Sequence, residues 1–251
     1  TATSTDDDTP GVLIGTLPIG ATGAILYIDG APVTATYDPI TGTLTPSTPL
    51  GEGNHSLTYS LTDAAGNPSG QSPALILTVD TLAPGTPAIS AVATDDTINQ
   101  IEQASVLSGT AEANAVVTVT LGSGNTRQIT ADGAGHWSYT LQPADISALG
   151  QGPQTLAVSA TDAAGNTSIA GTRSITIDTV APTLSINTLS TDGMLDSVEF
   201  AALAATPLAV SGSTSGVEDG QSVTITLNNQ QYSATVSGNA WSLNLPTAEA
   251  Q

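Results

Sequence analysis

Cysteine is absent from all 251 residues. That excludes disulfide staples, thiolate zinc sites and thiol nucleophiles, so the fold must be held by packing, by a hard metal ion, or by both. Positive charge is almost absent as well: two Lys or Arg stand against 22 Asp and Glu, a formal net charge of −20. Arg127 and Arg173 cannot neutralise a run of phosphates, which excludes nucleic acid as a partner; the same charge opposes an anionic membrane. No apolar run approaches the roughly 20 residues that span a bilayer as a helix, so no membrane insertion is expected. No signal peptide is present and the first residue is not Met, so the sequence reads as a piece of something longer. Aromatics are few, at 3%, and Val, Ile, Leu and Thr supply the bulk instead, the residues that suit pleated strands. Only 10% of residues are charged, too few for a polyacidic disordered tail.

What the chain does have is a repeat, the feature that decides how everything else is read. Thr62-Asp63-Ala64-Ala65-Gly66-Asn67 recurs 99 residues on as Thr161-Asp162-Ala163-Ala164-Gly165-Asn166. Asp80-Thr81-Leu82-Ala83-Pro84 recurs after 98 residues as Asp178-Thr179-Val180-Ala181-Pro182. Leu50-Gly51-x-Gly53 returns as Leu149-Gly150-x-Gly152, and Trp137-Ser138 returns near the end as Trp241-Ser242. Three copies follow: 1–80, clipped at its start; 81–178; and 179–251, which stops before its own Asp-Ala-Ala-Gly-Asn.

Within each copy the texture is β. Val117, Val119 and Leu121 alternate with threonines, and Leu156, Val158 and Ala160 behave alike. Leu57, Tyr59 and Leu61 do the same in copy one, and Val223, Ile225 and Leu227 in copy three. This period of two, bounded by Gly, Asn, Asp and Pro, marks half-buried strands. Only Pro143–Leu149 suggests a short helical turn. About seven strands per roughly 100 residues predicts an all-β chain of tandem immunoglobulin-like β-sandwich domains, without the Cys…Trp…Cys core of antibody domains. At about 40 Å per sandwich, three in line would make an elongated, monomeric rod of roughly 110–120 Å.

The order of these motifs resembles the tandem bacterial immunoglobulin-like repeats of giant type I-secreted surface adhesins, of the SiiE, LapA and BapA type. Asp-Ala-Ala-Gly-Asn followed by a strand ending Asp-Thr-x-Ala-Pro carries the likeness. Thr94-Asp95-Asp96-Thr97-Ile98-Asn99-Gln100-Ile101-Glu102, with its echo from Thr191-Asp192 to Glu199, extends it. Copy one departs from it: after Asp6-Asp7-Asp8 its segment is shorter and lacks the Asn and Glu. The resemblance implies a secreted or cell-surface protein engaged in adhesion, biofilm formation or virulence, and calcium at the junctions between repeats.

Strand alternation predicts the same sites independently. With seven strands lettered A to G, the chain enters a sandwich at a leading pole and leaves at a trailing pole. Asp6, Asp7 and Asp8 after strand A and Asp80 after strand G fall at the trailing pole of copy one. Glu112 in the B–C loop, and Asp162 and Asn166 in the F–G loop, fall at the leading pole of copy two. The short Asp80–Pro84 linker brings them together. A second junction would combine Asp95, Asp96 and Asp178 with Glu218 and Asp219; Asn99 joins the candidates through the resemblance of its segment, and Asp63 and Asn67 as the copy-one counterparts of Asp162 and Asn166. Carboxylates crowded without cations repel, and Ca²⁺, which takes six to eight oxygen ligands, resolves the conflict better than Mg²⁺.

Plainer readings compete. Asp63 and Asp162 could simply cap tight turns, and Asp6–Asp8 could be a solvated loop. Asp29-Gly30 and Asp132-Gly133 read as hairpin turns. Trp137 and Trp241 suit a core better than a sugar platform, and His55 and His136 stand alone. The leading function is mechanical, a non-enzymatic spacer whose partners are calcium ions and neighbouring repeats. Any host glycan or protein would be engaged through parts not contained in this sequence. The alternatives are repeats that grip such a surface directly, or accessory domains of a secreted carbohydrate-active enzyme.

Overall fold

The computed structural model describes residues 3–189, 197–198, 208–227 and 229–245. It divides into two compact units, Thr1–Asp178 and Thr179–Gln251. The first unit contains two sandwiches. One is built from β1 (Thr3–Thr5), β2 (Val12–Leu13), β3 (Ala21–Ile28), β4 (Ala31–Val33), β5 (Ala35–Asp38), β6 (Thr43–Pro46), β7 (Gly53–Asp63) and β8 (Leu75–Val79). The other is built from β9 (Ala88–Ile89), β10 (Thr97–Asn99), β11 (Val106–Thr110), β12 (Val116–Leu121), β13 (Asn125–Thr130), β14 (His136–Thr140), the helix α1 (Pro143–Leu149), β15 (Gly152–Thr161) and β16 (Gly171–Asp178). The second unit carries β17 (Thr183–Leu184), β18 (Leu208–Ser215), β19 (Ser222–Leu227), β20 (Gln230–Thr235) and β21 (Ala240–Leu245). The echo from Thr191-Asp192 to Glu199 lies outside the described residues, Ser197 and Val198 excepted.

The two sandwiches of the first unit share one plan. Their five-stranded sheets run β1-β8-β7-β3-β4 and β10-β16-β15-β12-β13, and each is faced by a three-stranded sheet, β2-β6-β5 or β14-β11-β9. The first strand of each large sheet runs parallel to the last, β1 beside β8 and β10 beside β16. The remaining pairings are antiparallel. This is the immunoglobulin-like sandwich, and the described residues are all-β apart from α1 and a two-residue helical piece at 197–198. In the second unit β17-β18-β21 form one sheet and β19-β20 a second.

Alternation places the core. Val117, Val119 and Leu121 of β12 meet Leu156, Val158 and Ala160 of β15 with essentially no exposed surface. Leu107, Trp137, Leu141, Ile146, Ile175 and Ile177 complete this core, and an inward side chain of this size contributes about 1.5–3 kcal/mol. Both tryptophans are buried, as their strand contexts suggest. Each pairs across the sheet with a glycine, Trp137 with Gly109 and Trp241 with Gly212. A Cβ on either glycine would run into that indole and into a backbone carbonyl of the neighbouring strand, Ala88 or Ser185. The turn at Asp29-Gly30 is the two-residue hairpin its sequence predicts, with positive φ at both positions, 52° and 83°.

Polar pins replace the missing disulfides. Asp145, fully buried at the first turn of α1, accepts from Arg127 Nη2 (2.5 Å), Tyr139 Oη (2.6 Å) and the Gln142 N–H (2.9 Å). Burial alone would push this carboxyl up, but the hydrogen bonds from Tyr139 and Gln142 and the Arg127 charge outweigh it and hold it below the usual carboxylate range. In the first repeat His55 is bracketed by two acceptors: Nδ1–H donates to Asp29 Oδ2 at 2.7 Å and Nε2–H to Gly51 O at 2.8 Å. Both bonds need both ring protons, so the imidazolium is favoured and its pKa is raised, the Asp29 bond being the main cause.

Two outcomes follow. Asp145→Ala strands Arg127 and Tyr139; because Arg127 is partly exposed and can rehydrate, the loss should be about 2–3 kcal/mol, read by urea unfolding of Trp137 fluorescence. The folded Asp145 pKa is depressed, so its contribution is present above the unfolded value of about 3.9 and disappears on acidification below it. The sign is opposite at His55: its contribution is complete below the unfolded value of about 6.5 and is lost as pH rises through the elevated folded value. Melting between pH 5.5 and 8.5 should therefore show a decline in the first repeat that His55→Gln abolishes.

Candidate functional site at the repeat junction

Parallel pairing of β1 with β8 brings two acidic segments out side by side. Thr5 pairs with Val79, and the Asp80 N–H donates to Thr5 O at 3.0 Å, so Asp6 and Asp80 leave the sheet together. Asp7 folds back on its own turn, its Oδ1 accepting from the Thr9 N–H at 2.8 Å. The Asp8 carbonyl accepts from the Leu50 N–H at 2.7 Å, tying this turn to the loop before β7. Glu52 in that loop takes the N–H and hydroxyl of Thr81, fixing the start of the linker. Sequence reasoning overlooked Glu52; the available signal was its place inside the repeated Leu-Gly-x-Gly motif.

Facing them is the β15–β16 loop of the second repeat. Asp162 Oδ1 accepts the backbone N–H groups of Ala164 (2.9 Å), Gly165 (2.8 Å) and Asn166 (2.9 Å). Its Oδ2 accepts Asn166 Nδ2 at 2.9 Å, and the same Nδ2 donates to the Asp80 carbonyl of the first repeat at 2.7 Å. Gly165, at φ 111°, lies under the Asp6 carboxylate, whose Oδ2 is 3.5 Å from where a Cβ would stand. Partial burial pushes the Asp162 carboxyl up; the bonds from Asn166, Gly165 and Ala164 outweigh it and hold it below the usual range.

The remaining candidates distribute as follows. Glu112 is exposed in the β11–β12 turn, where its carbonyl accepts the Ala115 N–H. Asp63 and Asn67 form at the start of the chain the same capped loop as Asp162 and Asn166. Asp95 caps the Thr97 N–H, and Asn99 pairs in register with Asp178. Glu218 and Asp219 belong to the β18–β19 turn of the second unit, where Asp219 accepts the Gly238 N–H at 2.7 Å. Asp96, expected as a metal ligand, is held by a guanidinium instead. Both its oxygens are engaged by Arg173, at 2.6 Å and 2.5 Å, and Oδ1 also takes the Val92 N–H. A bidentate guanidinium neutralises the carboxylate and would repel a divalent ion, so Asp96 pins the crossover between β9 and β10. The expectation that no cation compensates the acids fails there, because Arg173 is remote in sequence and adjacent in space.

At the first junction the Asp6 carboxylate lies over Gly165 and the Asp80 carbonyl meets the Asn166 amide, while Asp80 Oδ1 accepts the Leu82 N–H at 3.2 Å and Asp162 Oδ2 accepts from Asn166. The acceptors among these groups are all oxygens, which fits a hard cation such as Ca²⁺ in kind. Among the described residues, however, no three Asp, Glu, Cys or His side chains converge closely enough to hold a metal by themselves. The difference from a carboxylate cluster has a cause: Asp162 turns inward to cap its loop, and Asn166 takes the facing position. An ion here would need carbonyl or amide oxygens beside the carboxylates.

Residues 86–179, which span most of the second repeat, match the bacterial Ig-like domain family. Among solved structures the chain is similar to a Ca²⁺-stabilised adhesin with which an Antarctic bacterium binds ice, at 29% identity over 90% of this chain and 57% of that one, TM-score 0.39. It is similar to a 1.5-MDa bacterial ice-binding adhesin at 23% identity over 90% of this chain and 75% of that one, TM-score 0.38. A single bacterial immunoglobulin-like domain of the M. primoryensis ice-binding adhesin is covered completely by 39% of this chain, at 34% identity and TM-score 0.30. The chain thus spans little more than half of the first of these. No curated protein matches it.

Asn166→Ala should remove the bond to Asp80 as well as half of the loop cap, while Asn67→Ala removes only the cap. A net hydrogen bond is worth about 1 kcal/mol, so exchange at the linker amides should accelerate roughly fivefold in Asn166→Ala alone. Equal exchange in the two variants would show that the bond carries no load.

Proposed function

We propose that this chain is an extracellular, cell-surface spacer of a large bacterial adhesin, whose role is mechanical and whose junctions are stiffened by calcium. The observation that carries the reading is the Asn166 amide holding the Asp80 carbonyl at 2.7 Å, a direct strut between consecutive repeats. A strut of this kind is useless to a catalyst and useful to a rod. The excess of 22 acidic over two basic residues keeps such a rod soluble and unassociated. Asp80, Asp6 and Asp162 would hold the ion at the first junction, with the Asp80 carbonyl or the Asn166 amide oxygen completing its shell. Calcium would add electrostatic bridging between repeats that the hydrogen bond alone does not provide. Pro84 restricts Ala83 to extended conformations and limits bending of the linker.

Sites of extracellular affinity, with dissociation constants of about 10⁻⁴–10⁻³ M, would leave the repeats loose inside a cell and stiff outside it, coupling type I export to folding. At ten times the dissociation constant one site adds about 1.4 kcal/mol. The test is a distance distribution between spin labels on the first and second repeats. It should narrow when 10 mM Ca²⁺ replaces chelator, and the double change Asp80→Asn with Asp162→Asn should abolish the narrowing. A distribution that ignores both calcium and the substitutions sinks the calcium clamp.

A further inference from the structure

We infer that the crossover from β9 to β10, residues 90–96, is a latched extender: Arg173 holds it folded, and tension along the chain releases it before the sandwich unfolds. The inference deepens the spacer reading and rests on it for tension as the natural input. The latch itself is built entirely within the second repeat.

The crossover is bent under strain. Ala93, Thr94 and Asp96 stand in the left-handed region, at φ 49°, 71° and 63°. The other described non-glycine residues with positive φ are Asp or Asn, which tolerate that region; Ala93 and Thr94 have no such side chain, and Thr94 is β-branched. Thr94 is also exposed, so no core packing of its side chain offsets the strain. A backbone in this state persists only where its surroundings over-determine it. Val92, fully buried, anchors the bend; the Asp96 N–H donates to the Val92 carbonyl at 2.8 Å and the Val92 N–H to Asp96 Oδ1 at 3.0 Å. From β16, Arg173 donates through Nε and Nη2 to the two Asp96 oxygens, and through Nη1 to the Ile89 carbonyl at 3.2 Å. One guanidinium thus clasps both ends of the crossover.

Strand directions decide what tension does. In a spacer, force enters the second repeat through residues 84–87 and leaves it after Asp178. β9 meets β11 at two residue pairs, Ala88 with Thr110 and Ile89 with Gly109, and so resists little by itself. β10 is held differently. It lies parallel to β16, with Thr97 beside Thr176, Ile98 beside Ile177 and Asn99 beside Asp178, and the Thr176 N–H donates to the Asp96 carbonyl at 2.8 Å. The load pulls β10 by its start and β16 by its end. Parallel strands pulled from opposite ends slide along each other, so their bonds must fail together rather than one by one. Buried Ile98 and Ile177 add packing to that clamp. Between the weak β9 pairing and the strong β10 pairing lies the strained bend. Breaking the Arg173–Asp96 pair frees residues 86–96 while the parallel clamp keeps the core closed. Strain favours opening and the guanidinium opposes it, and together they set the force at which the repeat lengthens.

Because the chain has no cysteine, Gly85→Cys with Ala181→Cys in the full chain attaches handles across the second repeat alone, at two exposed positions. Pulled in optical tweezers, it should show a first, reversible step of less than about 40 Å, the extended span of residues 86–96, before the sandwich is lost in a step of roughly 280 Å. Asp96→Asn keeps a residue that tolerates positive φ but removes the charge, and should speed the first step at least about tenfold at a given force. Thr94→Gly relieves the strain and should slow that step about threefold. Neither change should move the second step. A single unfolding step overturns the latch and leaves the spacer reading standing, as does a first step indifferent to both substitutions or a shift confined to the second step. A second repeat that yields without measurable force would overturn both.

Discussion

Asp162 accepts three backbone N–H groups on one oxygen and the Asn166 amide on the other, and from that saturation the rest of the junction follows. Because Asp162 Oδ2 takes one of its amide protons, Asn166 is held rigidly enough for the remaining one to meet the Asp80 carbonyl. Gly165, at a positive φ that few side chains adopt, keeps the loop surface low and lets the Asp6 carboxylate lie against it. A carboxylate thus acts through its neighbour: it shapes the contact without making it.

The same economy runs through the molecule. Two arginines serve 22 acidic residues, and both are used within the second repeat, Arg127 on Asp145 and Arg173 on Asp96. Each ties a connecting segment to a sheet: α1 to the β13 side, and the β9–β10 crossover to β16. In a chain without cysteine these pins do the work of staples, and His55 between Asp29 and Gly51 does a smaller version of it in the first repeat. The acids left over stand mostly in turns, where water or a cation can reach them.

Much of this was legible in the order of residues. Strands follow from strict alternation over β12, β15 and β16, and the repeat of Asp-Ala-Ala-Gly-Asn fixes loop positions because turn chemistry is local: the capping carboxylate and the capped amides lie within four residues. Asp6 and Asp80 could be placed at one pole for a similar reason, since strand direction is a counting argument. Even the short helix at Pro143–Leu149 and the hairpin at Asp29-Gly30 are written in nearby residues.

What alternation and counting cannot reach is which way a side chain turns once several partners compete for it. Asp96 and Asp162 look alike in sequence, an acid in a loop near a junction. Tertiary structure gave one to a guanidinium 77 residues away and the other to its own backbone. Glycine at 109 and 212 reads as a weak point in a strand until a buried indole and a carbonyl from a third strand are seen to need the space. Local sequence determined the sandwiches and their turns, because those depend on short-range periodicity. Only the packed chain decided which acids are neutralised, which cap loops and which face a neighbour, because that competition is settled by groups distant in sequence.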